Sequence, residues 1–235
     1  MWSGVMDLLA EQGIAARACD LPGYGFNTAV APRFEHISQQ LSVEILSIQA
    51  QTACREFTLV GHSYGGMIVQ DFLARSTSAD ALVTGIALLC TSAAFGKTDG
   101  DFQKRFVESR LSPLRQGKSM LDVAQSLIPT MVGSNVDPVM VTNAINMMGS
   151  VNPQTYANAI EIIAQFDQRS NLNKISKKCL LLAADHDKTA PPTVMYGMHE
   201  RIPNSEFSSA SGSGHLLPME QPTWVTKQLI ATFFS

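Results

Sequence analysis

Apolar residues recur at helical spacing from the start of the chain. Trp2, Val5, Met6 and Leu9 stand at i, i+3, i+4 and i+7, and Gly13 follows where a left-handed helix end is expected. This predicts an amphipathic helix from Trp2 to Gln12. Ile14 to Leu21 is a short, mostly small and apolar run that stops at the turn cluster Pro22-Gly23-Tyr24-Gly25, and it predicts a buried strand. The stripe Ile37, Leu41, Ile45 and Ile48 predicts a second helix between Phe34 and Ala53, and Phe57-Thr58-Leu59-Val60 a second strand. Helical spacing returns from Gly65 to Arg75 through Ile68, Val69 and Phe72. Residues 82–91, 179–184 and, more weakly, 206–210 predict three more strands, and a closing helix carries Trp224, Leu229, Ile230 and Phe233.

Strands that alternate with helices and are apolar on both faces imply a mostly parallel sheet covered on both sides, an α/β fold. The alternation lapses between about Phe95 and Ser170, where helical patterns follow one another. The expected organisation is therefore a core of residues 1–94 and 171–235, with a helical cap insertion at 95–170. That insertion holds Met120, Met131, Met140, Met147 and Met148, and unbranched thioethers suit either a pocket wall that adapts its shape or an ordinary helical core.

Composition narrows the class. With 45% hydrophobic and 16% charged residues the chain has material for a core and too little charge to stay disordered. A net charge of −3, with no basic run, argues against nucleic acid as a partner. Pro138 to Ile160 carries no charged side chain, but Asn143, Asn146, Asn152 and Pro153 make it too polar for a membrane span. The amino terminus lacks the basic and apolar regions of a secretory signal. Cys19, Cys54, Cys90 and Cys179 match neither metal-ligand spacing nor a compact disulfide framework, and are expected to be reduced, mostly buried thiols in a cytoplasmic protein.

Chemistry enters at Gly61-His62-Ser63-Tyr64-Gly65. This G-x-S-x-G sequence lies where a predicted strand gives way to a predicted helix, the setting of a nucleophile elbow. There a serine takes a strained backbone conformation that lifts its hydroxyl above the sheet, and the flanking glycines remove Cβ atoms that would collide in so tight a turn. By composition alone such a motif is expected about 0.08 times in a chain of this length. A serine hydroxyl needs a base. Of the five histidines, His36 lies at the start of a helix, His62 is inside the elbow, His186 lies between two aspartates and His199 sits in a polar helix before Pro203. His215 follows the flexible-looking Ser211-Gly212-Ser213-Gly214 after the last predicted strand, at the sheet end where catalytic groups collect. The orienting acid should fall between serine and histidine in chain order. Asp185 and Asp187 both follow strand 179–184, and periodicity does not separate them.

Asp20-Leu21-Pro22-Gly23-Tyr24-Gly25, Gly61-His62-Ser63-Tyr64-Gly65-Gly66, Asp185-His186-Asp187-Lys188-Thr189-Ala190-Pro191-Pro192 and Gly214-His215-Leu216-Leu217-Pro218-Met219-Glu220-Gln221-Pro222 together resemble the successive signatures of α/β-hydrolase fold enzymes, over essentially the whole chain. Phe166-Asp167-Gln168-Arg169-Ser170-Asn171-Leu172 resembles most the 3-oxoadipate enol-lactonase and related esterase branch. Family acids stand four residues before the first proline of their segment. Alignment on Pro191 therefore implies Asp187 as the acid, with Ala184 in place of the usual glycine.

The resemblance implies acyl transfer to water. Ser63 attacks an ester or lactone carbonyl, His215 is the base, Asp187 orients it, and the Tyr64 backbone N–H is one oxyanion donor. No metal or organic cofactor is implied, and the Met-rich insertion, with its charge-free stretch Pro138 to Ile160, suggests a small to medium, largely apolar substrate. Family members also carry, ahead of the first helix, a strand hairpin and a central strand ending in His-Gly that gives a second oxyanion donor. This chain begins at Met1-Trp2 without them. The expectation is a strand missing between 14–21 and 57–60, encoded upstream of Met1. A second function class follows, a catalytically impaired relative that binds or regulates.

Overall fold

Four parallel strands, β1 (Phe57–His62), β2 (Val83–Leu89), β3 (Lys178–Ala184) and β4 (Ser205–Ala210), lie side by side in the order β1-β2-β3-β4. They belong to a computed structural model that describes residues 1–75, 77–96, 101–134 and 136–235. Successive side chains of a strand point to opposite faces, and here the alternation is complete in the central pair. Ile86, Leu88, Cys179, Leu181 and Ala183 enter one core; Ala87, Leu89, Leu180, Leu182 and Ala184 enter the other. Helices α2 (Phe34–Thr52), α3 (Tyr64–Ala74) and α8 (Pro192–His199) cover the first face through Ile45, Phe72, Met195 and Met198. Helices α1 (Ser3–Glu11) and α10 (Pro222–Phe233) cover the second through Val5, Leu9, Val225 and Leu229. Burying one such side chain is worth about 1.5–3 kcal/mol, so the central strands have no face to leave in water.

Between β2 and β3 come α4 (Asp101–Arg115), α5 (Met120–Leu127), α6 (Pro138–Gly149) and α7 (Pro153–Ala164). Their starts are set locally. Ser119 and Asp122 form a capping box at α5, and Asp137 and Asn152 cap α6 and α7 ahead of a proline in the first turn. The two ends of this helical layer meet in an antiparallel bridge between Ala94 and Asp167, with Phe95 N–H on the Phe166 carbonyl at 3.0 Å and Gln168 N–H on the Ala93 carbonyl at 2.7 Å. Asp71, buried on α3, accepts from Ser38, Arg75 and Gln168, and so ties α2, α3 and the returning chain together. Residues 97–100 and 135 of the expected insertion lie outside the described residues.

Two expectations are corrected, and one open choice is narrowed. Residues 14–21 form no strand: β1 bonds to β2, and no ladder reaches the amino-terminal segment among the described residues. Ala15, Ala16 and Ala18 offer little apolar area to bury, and Arg17 reaches Glu44 of α2 in an exposed ion pair at 2.8 Å. The cysteines divide evenly, because Cys19 rides on that uncovered segment and Cys54 follows α2, whereas Cys90 and Cys179 are buried in the sheet. The methionines of the helical layer mostly pack among its own helices: Met120 and Met148 in one cluster, Met140 in the next, with Met147 exposed. Among the described residues no helix is long and apolar enough to cross a membrane.

Candidate active site

The carboxyl ends of β1, β3 and β4 open onto one edge of the sheet, and each delivers one polar side chain there. Ser63 follows β1 with φ 49° and ψ −116°, a left-handed conformation that a residue with a Cβ rarely adopts. Three bonds hold its backbone: the Ser63 N–H donates to the Leu89 carbonyl at 2.9 Å, and the Ser63 carbonyl accepts from Thr91 Oγ1 at 2.7 Å and from the Met67 N–H at 3.2 Å. A Cβ at Gly61 would meet the Gly65 carbonyl at 2.6 Å, and one at Gly66 would meet Thr91 at 2.7 Å. At Gly65 there is open space, so the second crowded glycine of the turn is Gly66 and not Gly65 as expected. Tyr64 opens α3, with its backbone N–H at the helix's amino end.

His215 follows β4 in the loop 211–216, and Asp187 follows β3. Ser63 Oγ lies 2.9 Å from His215 Nε2, and His215 Nδ1 lies 2.8 Å from Asp187 Oδ2. A carboxylate there only accepts, so Nδ1 carries the proton and Nε2 accepts from the serine hydroxyl. The other carboxylate oxygen, Oδ1, accepts the N–H groups of Thr189 at 2.7 Å and Ala190 at 3.0 Å. Burial works to raise the Asp187 pKa, but the His215 hydrogen bond, the electrostatic attraction of the His215 ring and these two amides outweigh it. The carboxyl is held below the ordinary aspartate value. Asp185 is exposed, accepts from Ser211 Oγ at 3.1 Å, and does not reach His215. Geometry thus separates two residues that periodicity could not.

The loop that carries His215 is not the loose tether its Gly and Ser content suggests. Ser213, Gly214, His215 and Leu216 are all buried. The His215 N–H donates to the Met131 carbonyl at 2.6 Å, and His62 Nε2 donates to the His215 carbonyl at 2.6 Å. A carbonyl cannot donate, which fixes the His62 proton on Nε2. Burial first, then the neighbouring His215, push the His62 pKa down from 6.5 to about 3, so it stays neutral. His62 was one of the histidines weighed as a base; in the structure it braces the histidine that faces Ser63. The Met131 carbonyl left no trace in the sequence, because a backbone acceptor depends on no side-chain type.

At Tyr64, the residue after the serine, a small recess of about 30 Å³ lies between the 22–32 loop and α7, lined by Pro22, Tyr24, Val30, Tyr64, Thr155 and Ile162. Burial, and then the nearby Tyr156, push the Tyr24 phenol up to about 12, so it remains a neutral hydroxyl. No methionine of the helical layer lines this recess. Among the described residues no cluster of three or more His, Cys, Asp or Glu could hold a metal ion.

The family model for the α/β hydrolase fold matches residues 1–222. An uncharacterised hydrolase of Bacillus subtilis, YugF, is 24% identical over 228 residues, which is 90% of this chain and 77% of the relative. Among solved structures, a thermophilic esterase from Thermogutta terrifontis is 24% identical with a TM-score of 0.82, covering 97% of this chain and 82% of its own. The enol-lactonase from Burkholderia xenovorans is 19% identical with a TM-score of 0.83, covering 100% and 86%. At these identities the likeness to the solved structures is one of fold.

Proposed function

From the premise that the chain belongs to the α/β-hydrolase fold family, we propose that it is a serine hydrolase cleaving a carboxylic ester or lactone through an acyl-enzyme. The observation that carries this reading is the line Asp187–His215–Ser63, with both contacts at hydrogen-bond length and the acid held ionised. Ser63 Oγ attacks the carbonyl carbon while His215 Nε2 takes its proton. The tetrahedral intermediate's oxyanion receives the Tyr64 N–H, and His215 returns the proton to the departing alkoxide as the acyl bond breaks. Water then repeats the sequence on the acyl-enzyme and releases the acid. Asp187 stays ionised throughout, holding the imidazole in one tautomer and stabilising its charged form. Residues 95–170 serve as a cap over that edge, and the substrate is small to medium and largely apolar, meeting Pro22, Val30 and Ile162 beside Tyr64. The names of the similar esterase and enol-lactonase point to the same substrate class.

A fluorophosphonate reports an activated serine directly. The expected outcome is a single adduct at Ser63, lost in Ser63→Ala, with hydrolysis of short acyl esters or lactones lost alongside. Labelling elsewhere, or undiminished in the alanine variant, removes Ser63 from the nucleophile's place. Folded protein that takes no label but still binds ester analogues would leave the reading of a catalytically impaired binding protein.

A further inference from the structure

Glu220 sits at the end of the one-turn helix α9 (Leu217–Glu220), half-buried, and receives three backbone donors. Oε2 accepts the N–H of Gly214 and the N–H of Gly133, each at 2.8 Å, and Oε1 accepts the N–H of Leu216 at 3.0 Å. Two of these amides flank His215. The third belongs to the helical layer, 87 residues earlier in the chain. The two backbones run so close that a Cβ at Gly214 would strike the Met131 carbonyl, and one at Gly133 would strike the Gly212 carbonyl. The His215 N–H closes the same seam on Met131. Leu216 and Met219 then pack with Ala124, Ile128, Ala144 and Val132 of the layer. Merely closing α9 would need Gly214 and Leu216 alone and leaves Gly133 unexplained. We propose that Glu220 is a positioning residue that locks the His215 loop to the helical layer, so that the aim of the imidazole at Ser63 depends on where that layer sits. The core holds the loop from one side through His62, and the layer holds it from the other through Glu220 and Met131.

The proposal rests on His215 acting as the base, and its test has one arm that needs no turnover. Glu220→Ala removes all three acceptor contacts, and Glu220→Gln keeps one acceptor oxygen. In amide hydrogen exchange of Glu220→Ala, Gly133, Gly214, His215 and Leu216 lose protection together. In ester hydrolysis kcat falls about 10–100-fold with KM within about threefold, since a misplaced general base loses rate and not ground-state binding. Glu220→Gln recovers part of both effects, and it carries the test if the alanine variant does not fold. Unchanged protection at Gly133, kcat within twofold of the parent, or a loss confined to KM would each overturn the clamp. If Ser63→Ala keeps full hydrolysis, it is the triad reading that fails, and the exchange arm still decides whether Glu220 joins loop and layer.

Discussion

Two segments of similar length flank the sheet and are built in opposite ways. Residues 211–216 hold two serines and two glycines ahead of His215, yet from Ser213 onward they are buried, and their backbone is bonded to α9, to the helical layer and, through His62 and His186, to the core. Residues 14–21 are mostly small and apolar, yet lie uncovered and hold their place through Ile14, Leu21 and the Arg17–Glu44 ion pair. Order follows the supply of partners for backbone groups, and side-chain polarity is a poor guide to that supply. A polar loop becomes rigid where three elements converge on it. An apolar run stays irregular where no neighbouring strand takes its N–H and C=O groups.

The sharpest test of the buried loop's purpose compares the two aspartates. Asp187→Asn is expected to lower kcat about 10⁴-fold, because an amide in place of the carboxylate no longer holds Nδ1 protonated. Asp185→Asn, whose exposed carboxylate bonds to the 211–213 stretch and not to His215, should change kcat a few-fold at most. Steady-state kinetics on an ester the parent cleaves decides it. The reverse ranking would transfer the acid's role to Asp185.

Paired glycines test the rigidity itself. At Gly214 an added Cβ runs into the Met131 carbonyl and the Val132 backbone, neither of which is a flexible side-chain tip, so Gly214→Ala should cost about 3 kcal/mol. Gly13, after α1, has φ +72° and open space around it, so Gly13→Ala pays only for a left-handed backbone, about 1 kcal/mol. Urea melts of both variants measure the gap. Equal costs would mean that the loop yields as freely as the helix end.

His62 gives the loop's core-side brace a pH signature. With its folded pKa at about 3 against 6.5, the unfolded chain binds a proton between those values that the folded chain refuses. Stability is therefore full above 6.5 and declines as pH falls, by about 1.4 kcal/mol per unit well inside the window. Between pH 7 and pH 5 the loss should be about 2 kcal/mol, and His62→Asn should flatten most of it. Asp187, held below its ordinary value, adds a further loss only as pH falls through the range below about 4. A parent protein equally stable at pH 5 and 7 would mean that the His62 ring takes up its proton without leaving the His215 carbonyl.

What could be read in advance follows the same division. The strands 57–62, 83–89, 178–184 and 205–210 were legible to within a few residues, because each pairs with a neighbour and the central ones bury both faces. Ser63 and His215 were legible as candidates from the strand-to-helix glycines and the chain order, Asp187 was set apart from Asp185 only by the proline spacing that the family resemblance implies, and the structure brings all three within hydrogen-bond reach. The bracing contacts were not. The Met131 carbonyl carries no side-chain signal, and nothing in the stretch Gly214 to Pro222 hints that Glu220 reaches Gly133. The run 14–21 misled because small apolar residues fit a buried strand and an uncovered tether equally well.

The smallest expected effect belongs to that run. Ala15 and Ala16 are adjacent, so in an extended chain they point to opposite sides, and both are exposed. A strand inside a sheet covered on both faces would put at least one of them in the core, where an unpaired carboxylate costs several kcal/mol. In the structure each would stand in water. Ala15→Asp and Ala16→Asp should therefore each change stability by less than about 0.5 kcal/mol, and shift the melting temperature by under about 2 °C in a chain of this size. Thermal melts of the two single variants suffice. A loss of several degrees in either would show that one side of the segment is covered in solution, and the contrast with the 211–216 loop would then narrow to a single face.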